Sequence, residues 1–253
     1  MEQRIRKDFS FLFGLIGYPL SHSFSKRYFN DKFRKEALND YYYELFPLKN
    51  VDELHSLILN QPRLMGLNVT IPYKKVVIPF LDEIEVEAQT IGAVNTIRIR
   101  EGKLKGFNTD VYGFEQSLVK KMDSSIHQRA LILGTGGAAQ AVAFVLNKCQ
   151  IPFKFVSRRK DENDCLGYSD LNEVMDDYQI IINTTPLGMS PAIDSKPNLP
   201  YDKINGHHLL YDLVYNPAET AFLKEGNKRG AATINGLEML HLQAEKAWEI
   251  WNA

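Results

Sequence analysis

Along most of the chain, short apolar runs alternate with stretches whose apolar residues recur every three or four positions. The runs at 11–16, 41–46 and 64–69 have the length and composition of β-strands. Between them, Phe24, Tyr28, Phe29 and Phe33 share a helical face in 23–37, and Leu54, Leu57 and Ile58 share one in 51–59. After Pro72, residues 74–81 and 83–91 predict two short helices. Residues 93–100 alternate, with Val94, Thr96, Arg98 and Arg100 set against Ala93, Asn95, Ile97 and Ile99. This pattern predicts a hairpin with 104–107 across Glu101-Gly102-Lys103.

A helix at 111–121, capped by Thr109 or Asp110, leads into a second series. Its apolar runs lie at 130–133, 153–156, 179–182, 208–211 and 231–234, with helices after Gly137 and over 217–227. Short elements would complete a set of about six parallel strands. A last helix over 237–251 carries Leu240, Ala244, Ala247 and Trp251 as an apolar stripe, with Gln243 on the same face. The alternation predicts an α/β fold in two lobes. Residues 1–110 form an α/β domain with a mainly parallel sheet, and 111–236 a Rossmann-type nucleotide domain.

The sharpest local signal is Arg129 to Arg159. The wholly apolar run 130–133 reads as a strand buried on both faces. Gly134-Thr135-Gly136-Gly137-Ala138-Ala139 follows and opens a helix, and a second strand ends in Ser157-Arg158-Arg159. This matches G-x-G-x-x-G/A, with Gly134 for the tight turn, Gly136 for backbone approach to a pyrophosphate, and Ala139 for close helix packing. An acid at the end of the second strand would suit a ribose hydroxyl. Arg158, Arg159 and Lys160 stand there instead, which predicts a 2′-phosphate and hence NADP.

Composition narrows the rest. The 253 residues are 44% hydrophobic and 24% charged, with a net charge of −1, so no nucleic-acid or acidic-membrane partner is indicated. Cys149 and Cys165 make no disulfide framework, and the six histidines show no metal-binding spacing, so no metal is expected. Glu2 and Asp8 spoil any resemblance of the N-terminus to a signal peptide, and no apolar run approaches a membrane span. A cytoplasmic location is the expectation.

Doubly wound sheets bind ligands beyond the carboxyl ends of their strands. The turns there hold Ser21-His22-Ser23, Asn68-Val-Thr70-Ile-Pro72-Tyr-Lys74, Asn95 and Asp110. Taken singly, each has an ordinary explanation: Ser23 and Asp110 as helix caps, Asn68 and Thr70 as turn residues, Lys74 as a surface lysine. Their shared place at strand ends favours a site. Hydride transfer to a ketone builds charge on oxygen and needs a proton donor or cation there. No Y-x-x-x-K motif accompanies the glycine turn, so Lys74 is the best candidate, held protonated by a carboxylate such as Asp110.

These residues, with Ile91-Gly-Ala-Val-Asn95-Thr, Gly106-Phe-Asn-Thr-Asp110, Asp212-Leu-Val-Tyr215-Asn-Pro217 and Asn235-Gly236-Leu-Glu-Met239-Leu before Gln243, resemble the shikimate dehydrogenase family from about Gly14 onward. The resemblance implies NADPH-dependent reduction of 3-dehydroshikimate to shikimate. It also implies a substrate lobe completed by the returning helix 237–253. Lys74 and Asp110 would be the catalytic pair. Ser21, Ser23, Asn68, Thr70, Asn95, Tyr215 and Gln243 would contact the substrate. Gly134, Gly136, Gly137, Ala138, Ser157, Arg158, Arg159, Thr185, Leu213, Gly236 and Met239 would contact the cofactor.

The sequence departs from the usual family pattern in places. Thr135 stands for Ala, Gln140 for a frequent Arg, and Ser157-Arg158-Arg159 for Asn-Arg-Thr, which leaves open which arginine meets the phosphate. Ser23 is the shikimate-type residue where quinate-using relatives tend to carry Thr. A quinate dehydrogenase using NAD, a non-catalytic NADP-binding module, and a monomer or homodimer all remain open at this point.

Overall fold

The computed structural model describes residues 9–20, 23–158 and 165–253. Ser21 and Arg159 lie outside the described residues. The chain divides into two compact units, one running to Thr109 and taking up residues from Ala244 onward, the other spanning Asp110–Gln243.

The first unit contains β1 (Phe11–Gly17), α1 (Ser25–Lys35), β2 (Tyr41–Pro47), α2 (Glu53–Asn60), β3 (Leu64–Val69), α3 (Tyr73–Val76), β4 (Glu83–Ile84), α4 (Val86–Ile91), β5 (Thr96–Arg100) and β6 (Lys103–Phe107). Its sheet has the order β2-β1-β3-β5-β6-β4. β1 pairs in parallel with β2 and β3, whereas β5 runs antiparallel to β3 and β6. Side chains alternate across the buried strand β1. Leu12 and Ile16 enter one apolar cluster with Leu54, Leu67 and Ile97, and Phe13 and Leu15 enter the opposite one with Phe29, Phe33 and Tyr43. Residues 83–91 are not one helix. Glu83–Ile84 form a two-residue strand beside β6, and Glu85 then caps α4 by accepting from the amides of Glu87 and Ala88.

The second unit contains α5 (Asp110–Val119), β7 (Ala130–Leu133), α6 (Gly137–Lys148), β8 (Phe153–Ser157), β9 (Leu166–Gly167), α7 (Leu171–Val174), β10 (Ile180–Asn183), β11 (Leu209–Asp212), α8 (Ala221–Asn227) and β12 (Ala232–Asn235). Its six-stranded sheet has the order β12-β11-β10-β7-β8-β9, and every pairing is parallel. The chain leaves β7 toward β8 and β9, then returns to β10 on the other side. This reversal opens a crevice at the carboxyl ends of β7 and β10, where such sheets take ligands. α8 begins at Ala221 rather than 217, because Thr220 caps it by accepting from the Leu223 amide.

α9 (Leu237–Asn252) closes the chain. Its later turns belong to the first unit, where Ala244, Ala247 and Trp251 join the cluster of Phe13 and Phe29. Trp251 Nε1 donates to the Ile97 carbonyl at 3.0 Å. The indole lies so close over Gly66 that a Cβ there would overlap it. Tyr28 and Lys32 of α1 both reach the Glu245 carboxylate, Lys32 at 2.7 Å. No described helix is long and apolar enough to cross a membrane.

Candidate active site

In the first unit the positions singled out by the sequence gather where β1 and β3 end. The two turns are laced together: the Thr70 amide donates to the Ile16 carbonyl at 2.9 Å, and the Tyr18 amide to the Ile71 carbonyl at 3.0 Å. Ser23 precedes α1, whose N-cap is Phe24, and its hydroxyl accepts from the Ser25 amide at 3.3 Å in a local turn. Thr70 and Ser23 are half-buried. Lys74 sits on the four-residue helix α3, which is pinned on both sides. The buried Tyr73 hydroxyl donates to the Leu48 carbonyl at 2.6 Å, and the Lys74 carbonyl accepts from the Val94 amide at 2.7 Å. The backbone under Lys74 is therefore fixed, while its half-buried side chain has length to reach a ligand.

Asn68 and Asn95 are buried and share hydrogen-bond partners. Tyr43 Oη donates to Asn68 Oδ1 at 2.7 Å, and Asn68 Nδ2 donates to Thr96 Oγ1 at 3.2 Å. Asn95 Oδ1 accepts from the Thr109 amide at 2.7 Å, and its Nδ2 donates to Thr109 Oγ1 at 3.0 Å. Burial raises the Tyr43 hydroxyl well above its ordinary pKa and keeps it a donor. Tyr43 and Thr96 were not singled out by the sequence as site residues. Tyr43 reads there as one more aromatic in a strand, and only its hydrogen bond to Asn68 distinguishes it. Asp110 opens the second unit as the first residue of α5 and is buried, at the helix end that favours a negative charge.

In the second unit, the fully buried β7 runs into Gly134, whose φ is +108° and whose missing Cβ leaves room for Thr184 Oγ1. No side chain caps α6 at Gly136, and a Cβ at Gly136 or Gly137 would meet nothing within 4 Å. Ala139 is completely buried. A twelve-residue helix with open glycine backbone at its N-terminus fits the pyrophosphate of a dinucleotide. Ser157 ends β8 beside this turn, and the exposed Arg158 follows it, where a 2′-phosphate would lie.

Thr185 is tied to Asn183, which accepts from its amide at 3.1 Å and its hydroxyl at 2.6 Å. Leu213 and Gly236 touch through backbone, and a Cβ on Gly236 would overlap the Leu213 carbonyl. Met239 is buried, and its carbonyl closes on Gly113. Tyr215 is half-buried, which raises its pKa, and Gln243 Nε2 donates to the Leu240 carbonyl at 2.9 Å. Both belong to the second unit.

A six-stranded parallel sheet that reverses at a glycine turn, joined to a second α/β unit with polar strand ends, defines a dinucleotide-dependent oxidoreductase of two-domain build. Comparison with known proteins names the group. Residues 15–97 match the family described as "Shikimate dehydrogenase substrate binding domain". A shikimate dehydrogenase (NADP(+)) of Methanococcus maripaludis is 38% identical over 255 residues, covering 95% of this chain and 91% of the relative. Among solved structures, shikimate dehydrogenase from Aquifex aeolicus superposes with a TM-score of 0.85 at 34% identity, over 98% of this chain and 94% of that one. The Thermus thermophilus enzyme, solved with NADP(H) and shikimate, gives 0.80 at 30% identity over 95% and 93%. The chain belongs to the shikimate dehydrogenase family.

Proposed function

We propose that this protein is an NADP-linked shikimate dehydrogenase that reversibly reduces 3-dehydroshikimate to shikimate. What carries the reading is that the family match runs through 95% of the chain, so the half-site of each unit is inherited with its counterpart. NADPH supplies the hydride when it is bound on Gly134, Gly136, Gly137 and Ala138, with Ser157, Arg158 and Arg159 toward its 2′-phosphate. Thr185, Leu213, Gly236 and Met239 line the remainder of that site.

The first unit presents neutral hydrogen-bonding groups, which suit a polyol. Ser21, Ser23 and Tyr215 serve the substrate carboxylate, while Asn68, Thr70, Asn95 and Gln243 serve its oxygens. As hydride reaches the C3 carbonyl carbon, the C=O π electrons move to oxygen, and the proton that completes the alcohol comes from the Lys74 ammonium. Asp110 is the second member of the catalytic pair. The ordered strand ends hold the ketone still and replace water around the developing charge. A cytoplasmic enzyme acting on small molecules, as a monomer or homodimer, is the cellular form this reading implies.

The test is a four-way assay of shikimate and quinate against NADP⁺ and NAD⁺. Shikimate with NADP⁺ should give the highest kcat/KM. A preference for NAD⁺ would remove the role given to the arginines after β8, and a preference for quinate would remove the substrate assignment.

A further inference from the structure

Asp212 ends β11 with no exposed surface, and among the described residues its hydrogen-bond donors include no cation. Its Oδ1 accepts from Asn183 Nδ2 at 2.9 Å and from the Val214 amide at 3.0 Å, and its Oδ2 accepts from Thr220 Oγ1 at 2.5 Å. Each donor leads into a different segment. Asn183 turns its own Oδ1 to the amide and hydroxyl of Thr185, and Thr185 Oγ1 accepts from the Leu187 amide at 3.3 Å. Val214 lies between Leu213 and Tyr215. Thr220 caps α8. One carboxylate thus fixes the exits of two adjacent parallel strands and the start of the next helix. It also sets the Asn183 amide, because a carboxylate can only accept and so draws Nδ2 toward itself, leaving Oδ1 for Thr185.

We propose that Asp212 is a positioning residue for the cofactor: through Asn183 and the Val214 amide its carboxylate holds the 184–187 loop and the 213–215 segment in binding geometry, and protonation loosens both. The proposal rests on the reading of Thr185 and Leu213 as cofactor contacts. A proton on Asp212 removes the acceptor's charge, so its bonds to Asn183 and Val214 weaken and its bond with the Thr220 hydroxyl can reverse.

Burial pushes this carboxyl up to about 6 against the opposing pull of its hydrogen bonds, which places the change near working pH. The ionisable groups around it do not titrate there. The Tyr201 hydroxyl, which feels both Asp212 and Glu225, is pushed up by burial, as is Tyr211, which pairs with Ser117. Glu225 on α8 is held low by Lys196 at 2.8 Å and Arg229 at 2.5 Å.

The test measures the NADP⁺ dissociation constant from pH 5 to 8 in the wild type, Asp212→Asn and Thr220→Val. The 2′-phosphate also titrates near pH 6, but equally for every protein, so the ratio between variants is the readout. Asp212→Asn should bind about tenfold more weakly at pH 8 and converge with the wild type at pH 5, the size expected for hydrogen bonds to a charged group. A ratio that stays constant across the range, or no weakening, overturns the proposal. Thr220→Val removes a bond that favours the ionised form and should move the wild-type midpoint to higher pH; an unmoved midpoint overturns it too, even where Asp212→Asn does not fold. Gly136→Val separates the two readings. If it leaves affinity intact, the cofactor site itself is misplaced. If it weakens binding while Asp212→Asn does not, only the role of Asp212 falls.

Discussion

The two units both present polar groups at the carboxyl ends of a sheet, but with different materials. In the first, the groups are side chains on strands and beside their ends: Tyr43, Asn68, Asn95, Thr96 and Thr109 form a buried hydrogen-bond network. In the second, the end proposed for the cofactor is made largely of backbone, the Gly134 turn and the open start of α6, and a buried network nearby centres on the Asp212 carboxylate. The hydroxyl groups of a polyol are read by many directed hydrogen bonds, which rigid strands hold well. A pyrophosphate is read by aligned amides at a helix end, and a side chain there would only obstruct it. On the proposed reading, substrate identity would reside in residue types, and cofactor identity in backbone shape and the residues assigned after β8.

The contrast can be broken most severely at Lys74, the cation assigned to proton transfer. Lys74→Ala should lower kcat by about 10²- to 10⁴-fold, the usual span for general acid catalysis, with shikimate affinity and thermal stability little changed. Steady-state kinetics and calorimetric titration check this, and full activity would transfer the proton to another group.

Trp251→Ala should cost about 3–5 kcal/mol, because it empties a packed site against Phe13 and Phe29 and removes the bond to Ile97. In urea the first unit should then melt ahead of the second. Simultaneous loss of both units would show that their cores are not independent.

Asp212 sharpens the comparison through pH. Its carboxyl is at about 6 in the folded chain against an ordinary 3.8, so between those values the native state binds the proton that the unfolded state has lost. Its contribution to stability thus rises as pH falls from 7 toward 4, by about 3 kcal/mol. Wild-type unfolding free energy, compared with that of Asp212→Asn, should show this gain on acidification, and a flat difference would contradict it. The smallest effect is expected at Asn95→Ala, which leaves the Thr109 amide and hydroxyl without their acceptor and should cost about 1–3 kcal/mol. Since nothing in that network titrates near neutrality, the loss should be the same at pH 5 and pH 8.

The sequence disclosed the backbone-made half more readily than the half made of side chains. Gly134, Gly136 and Ala139 carry their meaning in local spacing, and the apolar runs around them predict β7, α6 and β8 within a residue or two. The hairpin of β5 and β6 was equally readable from alternation. β4 and β9 were not, since two-residue strands are too short to show a period and exist only because a neighbouring strand offers an edge. Tyr43 and Asn68 lie 25 positions apart, and Asn183 and Asp212 lie 29 apart. Their pairings arise from register between strands, which no local pattern encodes. Thr220 did leave a signal, a capping residue directly before Ala-Phe-Leu, but the prolines upstream drew the predicted helix start too early.

The placement of Trp251 under Gly66 has a bearing on how the protein is made. Synthesis proceeds from the N-terminus at about 5–20 residues per second, so β1 to β6 leave the ribosome well before the indole that fills their core. Until then the cluster around Phe13 and Phe29 stays open on the side where α9 docks. The second unit, contiguous from Asp110 to Gln243, suffers no such delay. The first unit to be translated is the last to be completed, and through that interval its aromatic face is what a chaperone would meet.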